Sequence, residues 1–318
     1  MNISESLMNK ILCGKCVLFL GAGATKSSGG VLGNELGKYI NDEIGDIGID
    51  YKDNLARYTQ MLVNAGYRDE IERIVRKRFA ALKPNEKFSL ISDIPWKAIY
   101  TTNYDDLVEK AYSKQHFYNC IVNPDSIIPQ GTAGADVPLY KINGDINTPY
   151  KESNPLVITL EDLRRNKIKN ENMIAQLMKD MNDTFVFIGY SFQDQNEIVT
   201  EIIDAFQKSD RWESIKEKYV ILPNISEDIE LDLKSYRINY LRGTADEFFE
   251  LVGKKAQNDY LVKLKALRNT FSSNRYFSQL QPQTLQYISE RFEVYESEKE
   301  YSVDGKYYYR GAKLIGEL

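Results

Sequence analysis

Short, continuous apolar runs bounded by turn or helix-start residues constrain the fold of this chain more than any other feature. They are Cys16–Leu20, Ala98–Thr101, Asn119–Val122, Leu139–Ile142, Phe185–Gly189, Tyr219–Leu222 and Asn239–Leu241, rich in Val, Ile, Phe and Tyr. Hydrophobicity that is continuous rather than alternating suits strands covered on both faces. Between the runs, Asn54–Ala65, Asp69–Phe79, Asn103–Tyr112, Met173–Met181 and Glu197–Phe206 carry apolar residues at helical spacing. Alternating strand and helix predicts an α/β fold, a Rossmann-like and mainly parallel sheet with right-handed crossovers.

The organisation has three parts. Residues 1–252 hold the sheet. Within them, about 52–95 is helical with no strand signal and reads as a helical insertion, the kind that forms one wall of a cleft. From Gly253 the composition changes: 11 Lys plus Arg against 8 Asp plus Glu, and eight of the chain's 22 tyrosines. A helix is expected at Lys254–Asn269 and a hairpin around Asp304-Gly305, giving a small C-terminal extension. Such an end can stack bases, but Tyr and Arg also favour protein interfaces. The whole chain of 318 residues carries 41 basic and 46 acidic residues, net −5. That balance favours an oligomer or partner surface over direct nucleic-acid contact.

Composition also removes classes. One histidine and three cysteines exclude poly-His and four-cysteine metal sites, so no metal is expected. Cys13-Gly-Lys-Cys16 reads as two small residues leading into a strand rather than as half a metal site. The first residues lack a basic start followed by an apolar core, and no stretch is long enough to span a membrane. A cytoplasmic protein without membrane contact is expected, with truncation of a longer chain left open by the uncapped end at Leu318.

Four motifs mark the ends of strands. Val17–Leu20 runs into Gly21-Ala22-Gly23-Ala24-Thr25, where glycines allow close backbone approach to a pyrophosphate; Thr25, Ser27 and Ser28 add hydroxyls. Lys26 stands where the third glycine of a full dinucleotide fingerprint would be, and no Walker ending is present. The second strand delivers Thr102, Asn103 and Asp105 to the carboxyl edge, where open α/β sheets bind ligands. Helix capping explains one polar residue there but not the cluster. Tyr140–Asp145 and Phe187–Asp194 end two more strands.

Together these four motifs resemble the SIR2-like family, the sirtuin superfamily, over about Leu12 to Val252. The resemblance is strongest to the SIR2-like domains of bacterial anti-phage defence NADases of the Thoeris type. Their pattern reads G-A-G, T-T-N-Y-D, K-[LM]-H-G-D and G-[YF]-S-x-x-D. It implies NAD+ as substrate, cleaved to nicotinamide and ADP-ribose in a defence that sacrifices the infected cell. Gly21, Ala22, Gly23, Ala24 and Thr25 then match the NAD+ phosphate loop, with Thr102 beside it. Asn103 matches the catalytic asparagine and Asp105 its adjacent acid. Gly189, Tyr190 and Ser191 match a loop lining the adenosine side, with Asp194 nearby. Position 143 should be the catalytic histidine, and here it is asparagine.

Asparagine cannot accept a proton at neutral pH, and lost base catalysis costs on the order of a hundredfold. The one histidine, His116, lies far from the motif edge in sequence. Asp105, Asp145 and Asp194 remain as proton acceptors. Asn143 is read as an inactivating change, because Lys141, Gly144 and Asp145 around it keep the pattern. A non-catalytic NAD or ADP-ribose module, a structural subunit, and activity through another base stay open. With no cysteine after Cys120, the four-cysteine module of sirtuin deacetylases is absent, which favours hydrolysis. A homo-oligomer is expected, and the resemblance implies a translocase- or Argonaute-type defence partner, since family members occur fused to or encoded beside such proteins.

Overall fold

The computed structural model of the chain describes residues 1–45, 48, 54–113, 119–123, 136–148, 156–192, 202, 216–273, 300–303, 306–309 and 312–313. In chain order the first elements are α1 (Glu5–Leu12), β1 (Cys16–Leu20), a 3-10 turn over Ala22–Ser28 and α2 (Gly33–Ile44). Three helices follow, α3 (Leu55–Asn64), α4 (Arg68–Ala80) and the single-turn α5 (Glu86–Ser89). Then come β2 (Ala98–Thr101), α6 (Leu107–Tyr112), β3 (Asn119–Val122), β4 (Asp136–Lys141), α7 (Leu160–Lys169) and α8 (Glu171–Asp180). The sheet is completed by β5 (Thr184–Ile188), β6 (Lys218–Leu222), α9 (Glu227–Ser235) and β7 (Ile238–Arg242), after which α10 (Ala245–Ser273) begins.

The seven strands form one sheet in the order β3-β4-β2-β1-β5-β6-β7. Every neighbouring pair is parallel, as the continuous apolar runs predict. All five residues of β1 are fully buried, because alternate side chains feed two different cores. Leu18 and Leu20 pack with Ile99, Val186 and Ile188 toward α1, α2, α4 and α10. Val17 and Phe19 pack with Tyr100, Phe185 and Phe187 toward α8 and α9. Aromatic rings run across this second face, with Phe19 and Phe187 centroids 5.3 Å apart and Tyr100 stacked 4.7 Å from Tyr140.

The chain leaves β1 toward β2 on one side and returns through β5 on the other. The order therefore reverses between β1 and β5, and a crevice opens at their carboxyl ends.

Three boundaries differ from the sequence expectation. β4 begins at Asp136 rather than Leu139, because Pro138 sits where only β3 pairs with it and its missing N–H costs nothing toward β2. α6 begins at Leu107 rather than Asn103, because Asn103 and Asp105 form a loop. α10 starts nine residues before Lys254 and runs through Gly253. The Thr244 hydroxyl and Glu247 carboxylate cap its first turn reciprocally, and Phe248, Phe249 and Val252 bury it on the sheet. β8 (Glu300–Val303), β9 (Lys306–Tyr309) and β10 (Ala312–Lys313) form a three-stranded antiparallel ribbon that includes the expected hairpin. The expected helix at Glu197–Phe206 lies outside the described residues apart from Ile202.

Cys16 is buried in β1 and Cys13 is exposed; both are free, and burial pushes the Cys16 thiol up to about 12. Among the described residues no helix is long and apolar enough to cross a membrane, and no cluster of three His, Cys, Asp or Glu could hold a metal.

Candidate active site

The β1 and β5 loops meet at the reversal. Gly189 has φ +66, a left-handed conformation that favours glycine. A Cβ there would overlap the Ala24 nitrogen and the Gly23 backbone. A Cβ on Gly21 would lie 2.6 Å from the Gly189 oxygen. The contact is backbone on backbone: Gly21 N–H donates to Ile188 O and Gly23 N–H to Gly189 O, both at 3.0 Å. Ala24 N–H donates to Gly21 O at 2.9 Å. Three of the loop's amide donors are thus engaged inside the protein, and the glycines here serve packing between two loops.

Asn103 is 9% exposed. Its backbone N–H donates to Thr101 Oγ1 at 3.0 Å and its side-chain Nδ2 to Gly21 O at 3.2 Å. That second bond ties the asparagine to the β1 loop and leaves its amide oxygen as an acceptor for a ligand. Asp105 is deeply buried; Oδ1 accepts from Leu107 N and starts α6, while Oδ2 has no hydrogen-bond partner among the described residues. Burial pushes this carboxyl up to about 6, against the pull of the Leu107 N–H and the Lys141 charge.

Lys141, at the end of β4, is fully buried and stands between the β2 and β4 loops. Its Nζ donates to Asp105 O at 2.7 Å, Glu109 Oε1 at 2.8 Å and Asp145 Oδ1 at 2.9 Å. Burial opposes its charge, but the Glu109 and Asp145 carboxylates hold it above its ordinary value. Asp145 also accepts from Asn147 N at 2.9 Å, so this carboxylate is an anchor for the β4 loop. Asn143 lies on that loop, 9% exposed, its backbone oxygen accepting from Val157 N at 2.9 Å.

One cleft of about 940 Å³ collects these loops. Ala22, Gly23, Thr25, Thr102, Asn103, Asp105, Asn143, Gly189, Tyr190 and Ser191 all line it. Gly21 and Ala24 sit directly behind that wall, and Asp145 is not part of the lining. Asp194 and His116 fall outside the described residues. The volume suits a dinucleotide-sized ligand. Its floor is apolar through Leu36, Phe79 and Ile221, with polar groups converging from the strand ends.

Sequence reading missed the far end. Asn224 after β6 and Thr244 and Asp246 after β7 also line the cleft. Asp246 accepts from Ser27 Oγ at 2.7 Å and so ties the start of α10 to the β1 loop. Nothing in residue type singles these out. Applying the carboxyl-edge rule to every strand would have found them, since β6 and β7 end on the same edge. Phe192, at φ +58, was likewise missed; it packs edge-on to Tyr190 with centroids 4.8 Å apart.

The parallel sheet places these loops around a cleft at its reversal, where open α/β sheets bind ligands. Residues 97–241 match the SIR2-like domain family. The matched stretch holds Asn103, Asn143 and Gly189; the β1 loop precedes it in sequence and joins it in the cleft.

Among individual proteins, the chain is similar to NAD(+) hydrolase ThsA of Bacillus cereus (strain MSX-D12), 28% identical over 200 residues, 61% of this chain and 41% of that protein. It is 26% identical over 242 residues to NAD(+) hydrolase ThsA of Enterococcus faecium, 71% of this chain and 48% of the relative. Defense-associated sirtuin 2 of Bacillus subtilis is 30% identical over 200 residues, 61% of this chain and 19% of that protein. The chain spans less than half the length of each of these relatives.

Proposed function

We propose that this chain is the NAD+ glycohydrolase domain of an anti-phage defence protein, cleaving NAD+ to nicotinamide and ADP-ribose, and that Asn143 impairs the step. The observation that carries the reading is the convergence of Asn103, Asn143, the β1 loop and the Gly189–Ser191 loop on one cleft. Nicotinamide leaves as a neutral group, and its departure puts positive charge on the ribose, as in glycoside cleavage. In this reading Asn103, held by its Nδ2 bond to Gly21 O, offers its amide oxygen to the ribose or the attacking water. Asp105 supplies negative charge near that centre once ionised. Tyr190 and Ser191 line the nucleotide side. No residue at position 143 takes up a proton, and Asp145 is already bound to Lys141.

Incubating the chain and its Asn143→His variant with NAD+, with chromatography of nicotinamide and ADP-ribose, tests this. Turnover by the histidine form, at least about a hundredfold above the asparagine form, is expected. Absence of turnover in both sinks the hydrolase reading. Binding of NAD+ without turnover in either form would instead favour a sensing module, the alternative that the unreactive Asn143 amide supports. A homo-oligomer, a partner defence protein and a cytoplasmic location belong to the same proposal. Light scattering of the chain alone and with neighbouring-gene products reads out the first two.

A further inference from the structure

Helix α4 buries a carboxylate on its apolar face. Glu72, among Ile71, Ile74, Val75 and Phe79, is 2% exposed. A buried carboxylate is costly unless paired and hydrogen-bonded. Here Arg68 and Arg76, one turn before and after, flank it at 2.8 and 3.2 Å. Arg68 also pairs with Asp162, so two cations and two carboxylates balance.

The ladder grips backbone outside the helix. Glu72 Oε1 accepts from Leu156 N at 3.1 Å, and Arg68 donates to Leu156 O at 2.8 Å, so both polar groups of one residue's backbone are held. Arg76 donates to Ile146 O, with Asp145 O within 3.4 Å. Both grips lie C-terminal to Asn143, one three residues on at Ile146 and one at Leu156, whose neighbour bonds back to Asn143. Val157, next to Leu156, donates to Asn143 O at 2.9 Å, and Ile146 N donates to Tyr104 O at 3.2 Å. Tyr104 Oη in turn donates to Val157 O at 2.7 Å. The chain after Asn143 therefore reaches the helical insertion at two points, Ile146 and Leu156, through hydrogen bonds to charged groups, which are stronger than neutral ones. No sequence motif marks Arg68, Glu72 or Arg76, and none of them lines the cleft.

We propose that the Arg68–Glu72–Arg76 ladder is the device that sets the position of residue 143 in the cleft, with Glu72 its central positioning residue. Exposed Glu70, which pairs with Arg73 on the same helix, has no such role. The consequence for turnover rests on the hydrolase reading above; the consequence for the loop does not.

Amide hydrogen exchange on the full chain separates the two. Glu72→Gln is expected to speed exchange at Ile146, Asn147 and Val157 by about tenfold or more while leaving Gly21 and Gly23 unchanged. Glu70→Gln should change neither set. Arg76→Lys, which keeps the charge but loses the planar fork, should loosen Ile146 and Asn147 in the same local way and guards against loss of fold in Glu72→Gln. In the Asn143→His background, Glu72→Gln should lower kcat about tenfold or more with KM held within about twofold, because the phosphate and nucleoside ends are untouched. Unchanged exchange at 146–157, faster exchange across the whole sheet, or an unchanged kcat despite a loosened loop would each overturn the proposal. If Asn143→His shows no turnover, the hydrolase reading fails alone, and the exchange pattern still decides the ladder.

Discussion

The two walls of the cleft are held by opposite physics. On the β1–β5 side the loops touch largely backbone to backbone, with Gly21, Gly23 and Gly189 leaving no room for a Cβ of their own. On the β2–β4 side the loops are held apart and in register by buried charge: Lys141 between Asp105, Glu109 and Asp145, and the α4 ladder behind. Where β1 meets β5, the first wall depends on close fit and uncharged backbone hydrogen bonds. The second depends on ionisation, so pH and charge-neutral substitutions should move it and leave the first unmoved. Under the function proposed above, the uncharged wall holds the nucleotide end of NAD+ and the wall that responds to protons flanks the reacting end.

The largest effect expected is Gly189→Ala. It adds a Cβ into the Gly23–Ala24 backbone at a left-handed φ, and should destabilise the chain by about 4 kcal/mol or more, or prevent folding. Urea denaturation should show a loss of the same size at pH 5 and pH 8, within about 1 kcal/mol. A loss that varied strongly with pH would break the contrast between the walls.

Next is Lys141→Met, which leaves Glu109 and Asp145 buried without their cation. It should cost about 3–5 kcal/mol near neutral pH, and acid should restore part of that by protonating Glu109, whose carboxyl burial already raises. An equal cost across pH would make this wall a matter of packing as well.

The smallest is Asp105→Asn. The folded chain holds this carboxyl up to about 6, above its ordinary value, so folding favours the protonated form. The wild type therefore loses stability as pH rises from the ordinary carboxylate range through 6, and stays at the lower level above it. The asparagine variant lacks that loss. It should match the wild type near about pH 4 and exceed it by on the order of 2 kcal/mol at about pH 7. Paired urea titrations check this, and a variant less stable than wild type at neutral pH would reassign Oδ2 to an unseen stabilising contact.

Much of this was legible from local pattern. The apolar runs located all seven strands of the sheet; the central ones are buried on both faces and so need no partner to reveal themselves, while the partly exposed edge strands β3 and β7 still carry short apolar runs. Asn103 and Asp105 were visible as a polar cluster at a strand end, although their helical spacing hid the loop that Thr101 Oγ1 and Leu107 N stabilise. The T-x-x-E capping pair at Thr244 and Glu247 marked the true start of α10 and was overlooked beside the change in composition at Gly253. Asn224 and Asp246 carried no local signal at all, since they matter only through the strands they follow.

The sequence by itself determined the strand set, the parallel character of the sheet and the resemblance of four loops, because each rests on residues close together in the chain. Only the tertiary structure decided what those loops do to one another. It turned the glycines into a packing seam, made Asp145 an anchor, buried Asp105 beside Thr25, and bound Glu72 to Leu156, next to the Val157 that holds Asn143. The reason is separation: Glu72 and Leu156 lie 84 residues apart, and a charge pairing across that distance leaves no periodicity for the sequence to show.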